Sequence, residues 1–294
     1  MDFTAVRFDT VLPGDRGELA ALYDRCFSVP EGASFMDDFP VWDPGIAVEE
    51  RVQLVYRHEG RIVASASARL ARTRPGNGTV AVVGAVVTDP ELRGKGLASR
   101  ALASLLPRVE CARPQAVVLW GSEADLYAKF GFAYGGLQCR SRLGDLKFRS
   151  STSDSKLEIR DGWGGEIESI MNARPDGLVH RDSDRAWIVR HPNVLFFRLF
   201  RDGKCTAFAG VGRGIDLTEM VHEWGGDERD LGLLLSVLAR ENADLQILYH
   251  PRHERSFYFL APGGAKIEEN LCMAKVLSPE FDLNEAWFYG LDSG

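Results

Sequence analysis

The chain lacks the features that would set it outside a reducing, aqueous compartment. No run of apolar residues approaches the roughly 18–20 that a membrane-spanning helix needs. Met1–Ala5 has no basic stretch leading into an apolar one, so no secretory signal is expected. The five cysteines (Cys26, Cys111, Cys139, Cys205, Cys272) are odd in number, widely spaced, and form no CxxC or Cys/His cluster. That excludes a disulfide framework and a recognisable zinc site, and no metal is expected; reduced, mostly buried thiols in the cytoplasm are. Positive charge is not in excess either. Lys and Arg number 35 against 42 Asp and Glu, a net charge of −7, which argues for neither a nucleic acid nor an anionic membrane as partner.

What is there is ample material for a core. The 294 residues, 45% of them hydrophobic, suffice for one large domain or two of ordinary size. Strand and helix patterns alternate from the start. Ala5 to Phe8 reads as a short strand, and Gly14 to Phe27 as a helix with Leu19, Leu22, Tyr23 and Phe27 on one face. The Pro-, Gly- and Asp-rich stretch from Val29 to Pro44 is irregular. Gln53 to Arg57 and Ile62 to Leu70 form a hairpin about His58–Arg61. After a turn at Pro75–Gly78, Val80 to Val87 is an apolar strand buried on both faces. Leu97 to about Val109 is a helix, Ala116 to Trp120 a buried strand, and Glu123 to Phe130 a short helix stopped by Gly131.

The polar, aperiodic stretch 149–156 is the expected linker between a domain at 1–150 and another at 156–294. Beyond it the order of elements repeats. Leu195–Phe200 and Thr206–Gly212 flank Arg201–Lys204 as the earlier strands flank His58–Arg61. Leu231–Ala239 is again an apolar helix, Gln246–Tyr249 again a buried strand, and Ser256–Tyr258 echoes Asp125–Tyr127. A repeat of this length implies two copies of one fold.

The segment with chemistry in it is Val86-Val87-Thr88-Asp89-Pro90-Glu91-Leu92-Arg93-Gly94-Lys95-Gly96-Leu97-Ala98. A buried strand feeds a two-glycine loop that opens directly into a helix. The free N–H groups at a helix start, with the positive end of its dipole, suit a pyrophosphate. Gly94 and Gly96 let backbone approach phosphate oxygens, while Arg93 and Lys95 add positive charge. A Walker loop is absent. A Rossmann fingerprint fits poorly, because the run lies far into the chain and ends in Ser99.

The run resembles the acetyl-CoA motif of the GNAT superfamily of N-acetyltransferases, [RQ]xxGx[GA], through Arg93, Gly96 and Ala98. Leu126-Tyr127-Ala128-Lys129-Phe130-Gly131-Phe132, one strand and one helix further on, is similar to the family's second segment. The resemblance implies an α/β (α+β) fold of two GNAT-like domains, each a mixed, mostly antiparallel sheet flanked by helices. It also implies acetyl-CoA as co-substrate. The backbone of Val86, Val87 and Thr88 would meet the pantetheine arm, and the N–H groups of Gly94, Lys95, Gly96, Leu97 and Ala98 the pyrophosphate. Tyr127 would be the acid that protonates the leaving thiolate.

The strand Val80–Val87 has no carboxylate to act as base, which leaves water or one of Glu31, Asp37, Asp38 and Glu123. Ser122 reads as a helix N-cap. The second half lacks the phosphate loop; acids at Glu223, Asp227, Glu228 and Asp230 stand in its place, so that half is expected to be degenerate. His222 and Glu223 read as ordinary strand residues, and the aromatic tail Trp287–Gly294 as a segment that docks. The acceptor, a small-molecule or peptide amine, is expected between Val29–Val48 (with Phe35, Phe39, Trp42, Asp37 and Asp38) and the second half. Two functions stay open: an acetyltransferase, or a non-catalytic acyl-CoA-binding regulatory module.

Overall fold

A computed structural model describes residues 7–74, 78–148, 156–254, 256 and 258–293. The expected linker falls outside these except for Lys156, as do residues 75–77 of the expected turn and residues 5 and 6 of the first expected strand.

In chain order the elements are β1 (Asp9–Thr10), α1 (Arg16–Cys26), α2 (Phe35–Asp38), β2 (Arg51–His58), β3 (Arg61–Arg74) and β4 (Thr79–Thr88). Then come α3 (Leu97–Glu110), β5 (Ala116–Leu119), α4 (Ala124–Ala128), β6 (Ala133–Gly135), β7 (Gln138–Arg142) and β8 (Leu146–Phe148). The second half has β9 (Leu157–Asp161), α5 (Gly165–Ala173), β10 (Gly177–Val179), α6 (Arg185–Ile188), β11 (Leu195–Arg201) and β12 (Lys204–Arg213). It continues with β13 (Asp216–Gly226), α7 (Glu228–Glu241), β14 (Gln246–Tyr249), β15 (Tyr258–Leu260), β16 (Ile267–Glu269) and β17 (Cys272–Val276).

Two large, mostly antiparallel sheets result, each with one parallel step, beside a two-stranded sheet of β8 and β15. The first runs β1-β2-β3-β4-β5-β17-β6, with β10 pairing the end of β3; the second runs β16-β7-β14-β13-β12-β11-β9. The parallel steps are β4–β5 and β13–β14. The repeat extends to backbone detail. The β2–β3 turn has φ 51° at Glu59 and 79° at Gly60, and the β11–β12 turn has 49° at Asp202 and 80° at Gly203. Positive φ at both central positions is the hairpin geometry that matches strand twist, and an Asp-Gly or Glu-Gly pair supplies it with one glycine.

The sheets do not divide where the linker divides the sequence. β17, almost at the end of the chain, inserts between β5 and β6 of the first sheet. In exchange, β7 leaves the first half and pairs with β14 and β16 of the second. A strand pairs with whichever edge its apolar face and register fit, and nearness in sequence does not decide it. The Ser256–Tyr258 echo fails for the same reason: Tyr258 begins β15, antiparallel to β8, rather than a helix.

All five cysteines are free thiols, but only Cys139 and Cys272 are buried; Cys26 and Cys205 are half-buried and Cys111 is exposed. No helix among the described residues is long and apolar enough to cross a membrane.

Candidate active site

The site begins where β4 and β5 part. Their parallel pairing runs from Val80↔Ala116 to Val83↔Leu119 and stops. On its other side β4 is paired Ser67↔Gly84 and then Ser65↔Val87, so Ala85 and Val86 both stand opposite Ala66. This is a β-bulge, with φ 50° at Ala85, and it bends β4 away from β5. The V-shaped gap opens beside backbone that the ladder leaves unpaired. Gly84 is required there: a Cβ would lie 2.6 Å from the Trp42 ring, which is fully buried beneath it.

Past Thr88, Asp89 accepts from Glu91 N–H and is held by Arg25 at 3.0 Å. These bonds keep its carboxyl below the usual range although burial opposes ionisation. The chain then reaches α3 through Gly94 and Gly96, both at φ 75°. Gly96 is the N-cap and has no side chain to cap the helix, and nothing lies within 4 Å of where its Cβ would be. The helix start is thus left open to an anion.

Val86, Val87, Thr88, Arg93, Gly94, Gly96, Leu97, Ala98 and Tyr127 all line one groove of about 700 Å³. Lys95 is exposed and lies outside that lining. Cys26 and Phe27, at the end of α1, form the groove's other bank, a contribution the sequence did not signal because α1 is far from the loop in the chain.

Tyr127 is 7% exposed, packs edge-on against Phe132, and faces Gly121 so closely that a Cβ there would meet its ring at 2.9 Å. Burial, with Glu123 nearby, raises its pKa above the ordinary value near 10, so the phenol keeps its proton. Of the carboxylates considered as base, Glu123 lines the groove and is exposed. Asp38 is committed elsewhere: it accepts from Asn193 Nδ2 at 2.6 Å and Ile215 N–H at 2.8 Å, tying the first half to the second. Glu31 and Asp37 are exposed and line neither the groove nor the cavity described next. Ser122 is not the N-cap of α4; Glu123 is, without a side-chain bond, and Ser122 lines the groove.

The gap leads through to a second hollow of about 420 Å³ that shares Phe27, Val83, Gly84, Ala85 and Trp120 with the groove. Phe35 and Phe39 form one wall, stacked at 4.5 Å. The second half supplies Arg213, Leu217 and His222, and the tail supplies Trp287–Gly290. The tail is fastened there. Trp287, Phe288, Tyr289 and Leu291 are each under 5% exposed. Asp292, fully buried, accepts from Leu178 and Tyr289 N–H and pairs with His180 at 3.1 Å. Arg69 donates to the Asp292 carbonyl, and Leu291 N–H donates to Glu223, which itself pairs with Arg174 at 2.8 Å. Asp292 therefore faces the latch, not the cavity.

His222 and Glu223 prove more than ordinary strand residues; both are fully buried. Burial, with Arg213 nearby, pushes the His222 pKa down to about 4, so the ring is neutral at pH 7.

Residues 8–135 match the family described as "Acetyltransferase (GNAT) domain". Comparison with curated proteins returned no match. Among solved structures, the fold is similar to a GCN5-related N-acetyltransferase from Kribbella flavida (TM-score 0.65, 17% identity, 92% of this chain and 71% of that one). It is also similar to a probable N-acyltransferase from Enterococcus faecalis V583 (0.66, 12%, 94% and 73%). A tandem GNAT protein from the clavulanic acid biosynthesis pathway aligns nearly end to end (0.51, 12%, 92% and 98%). At such identities the structures speak for the fold. Residues 8–135 thus match the GNAT acetyltransferase domain, and the chain as a whole has a fold of two GNAT-like units like that of the tandem GNAT protein.

Proposed function

We propose that this protein transfers an acetyl group from acetyl-CoA to an amine by direct attack within a ternary complex. The observation that carries the reading is the meeting of the two hollows at Gly84 and Ala85. A thioester in the groove and an amine in the aromatic cavity would face each other through the gap between β4 and β5. Alignment of this kind supplies much of the rate enhancement in such reactions.

The open start of α3 and the backbone of Gly94, Gly96, Leu97 and Ala98 suit the pyrophosphate, and Val86–Thr88 suit the pantetheine arm. The bulge at Ala85–Val86 leaves backbone outside the ladder, beside the gap where the thioester oxygen gains charge. The neutral amine nitrogen bonds to the carbonyl carbon and the carbon–sulfur bond breaks. The thiolate takes the Tyr127 phenolic proton, and the extra proton on nitrogen passes to water or to Glu123. Five unbonded thiols fit a reducing compartment such as the cytoplasm.

The test is release of CoA thiol with acetyl-CoA and a panel of amines, beside calorimetric binding of acetyl-CoA alone. Tyr127→Phe should lower kcat about 100-fold or more and leave acetyl-CoA affinity unchanged. An unchanged kcat would remove the acid role, and binding without turnover of any amine would favour the regulatory-module reading.

A further inference from the structure

The cavity beyond the gap is walled largely by aromatic rings and holds no spare charge. Phe27, Phe35, Phe39, Trp120, Phe288 and Tyr289 come from three separate stretches of chain: the first 40 residues, the end of β5 and the tail. The rings hold one another in place. Phe35 stacks on Phe27 at 4.3 Å, and Phe288 meets Trp120 edge-on at 5.6 Å. Trp120 is anchored in turn by its Nε1–H donating to Leu271 carbonyl at 2.8 Å.

Among the described residues lining the cavity, the charged side chains are Arg213 and Asp216, and they neutralise each other. Arg213 Nε donates to Asp216 Oδ1 at 2.8 Å and Nη2 to Oδ2 at 2.6 Å. Its Nη1 is taken up by the Gly290 carbonyl and the Ser293 hydroxyl. Such a bidentate pair offers little to a further ion. The guanidinium also sits 4.5 Å above the Phe39 ring, so a ring of this cavity already bears a cation on its face.

From these contacts we infer that the acceptor is a primary monoamine on an aromatic or bulky apolar body, and that polyamines and other polycations are poor acceptors. The inference rests on the acetyltransferase reading above. One ammonium can be received on an aromatic face by cation–π attraction and shed its proton before attack. A second or third ammonium would meet the same apolar walls with no unpaired carboxylate to receive it, and burying an unpaired charge is costly. The apolar body is retained by the apolar faces of these rings.

The experiment measures kcat/KM by CoA release for 2-phenylethylamine and tryptamine against 1,4-diaminobutane and spermidine, with acetyl-CoA binding followed separately by calorimetry. The aromatic monoamines should exceed the polyamines by about 100-fold. Leu217→Asp adds a carboxylate to the cavity at a residue with φ 52°, a conformation Asp tolerates better than Leu. It should narrow that ratio by about tenfold while acetyl-CoA affinity stays the same.

Polyamines used as well as or better than the monoamines would overturn the inference, whereas acetyl-CoA binding with no turnover of any amine would defeat the acetyltransferase reading on which it rests. Loss of acetyl-CoA binding in the native protein would instead defeat the reading of the groove. The ratio in the native protein decides the matter even if the variant fails to fold.

Discussion

The two units split their parallel strand pairs at equivalent places and fill the gaps in opposite ways. In the first unit pairing ends at Val83↔Leu119, and the residues that follow on β4 are Gly84, Ala85 and Val86. In the second it ends at Val221↔Ile247, and the residues that follow on β13 are His222, Glu223 and Trp224. Small side chains leave the first gap open through to a second hollow, and larger ones narrow the other. Trp224 bridges to the far strand, its Nε1–H donating to the Leu248 carbonyl at 3.0 Å, and lines a hollow of about 520 Å³ with Gly225, Gly226, Glu228 and Leu231.

The helix starts differ as sharply. Eight residues, 89–96, separate β4 from α3, whereas Asp227 alone separates β13 from α7. Its carboxylate accepts from Arg229 and Asp230 N–H at 3.0 and 3.1 Å, so the second helix carries its own anion where the first leaves room for one. A scaffold can be kept while a shortened loop, one capping residue and three bulky side chains change what stands at the helix start. Residues of the second unit form part of the wall of the hollow beyond the first gap.

That contrast can be broken most forcefully at the glycines ahead of the two helices. A Cβ on Gly226 would lie 2.1 Å from the Thr206 carbonyl oxygen and 2.6 Å from Ala207 Cα, both backbone atoms. Gly226→Ala should therefore destabilise the fold by about 4 kcal/mol in chemical denaturation, without changing acetyl-CoA affinity while the protein is folded. Gly96→Ala meets no atom and suffers only from its φ of 75°, about 1–2 kcal/mol. It should instead weaken acetyl-CoA binding about tenfold by crowding the phosphate approach.

The next effect in size is electrostatic. His222 has its pKa lowered to about 4 in the folded chain, so between about pH 6.5 and 4 the unfolded chain binds more protons. Stability should be full above pH 6.5 and fall by about 3 kcal/mol as pH drops to 4. His222→Gln should flatten that part of the stability profile, and a slope that persists would assign it to other groups.

The smallest effect belongs to the second helix. Asp227→Ala should cost about 1 kcal/mol as a lost cap and create no second cofactor site, since the intervening loop is still missing. Calorimetry should give one acetyl-CoA per chain before and after; a stoichiometry of two would overturn the comparison.

The two-glycine loop that opens α3 was legible in the sequence because it is local. Arg93 to Ala98 are contiguous, and a strand, two glycines and a helix start need no distant partner to define their geometry. The hairpin turns at Glu59-Gly60 and Asp202-Gly203 were legible for the same reason, and so was the order of elements, which follows from apolar periodicity. Ser122 was misread because an N-cap needs a side-chain bond that sequence position alone does not guarantee.

Asp38 shows the opposite limit. In the sequence it is one of four candidate bases, yet it is buried and bonded to Asn193 and Ile215, more than 150 residues away in the chain.

By itself, then, the sequence determined the longer helices, the two hairpins and the loop that opens α3, all set by neighbours within one turn or one hairpin, while the described part of the expected strand at Ala5–Phe8 gives way to β1 at Asp9–Thr10. Only the tertiary structure decided that β17 and β7 change sheets, that Cys26 and Phe27 bank the groove, and that the tail lines the hollow beyond the gap. Those outcomes depend on which edge or apolar face is left unpaired after the rest has folded, and that is a property of the assembled surface.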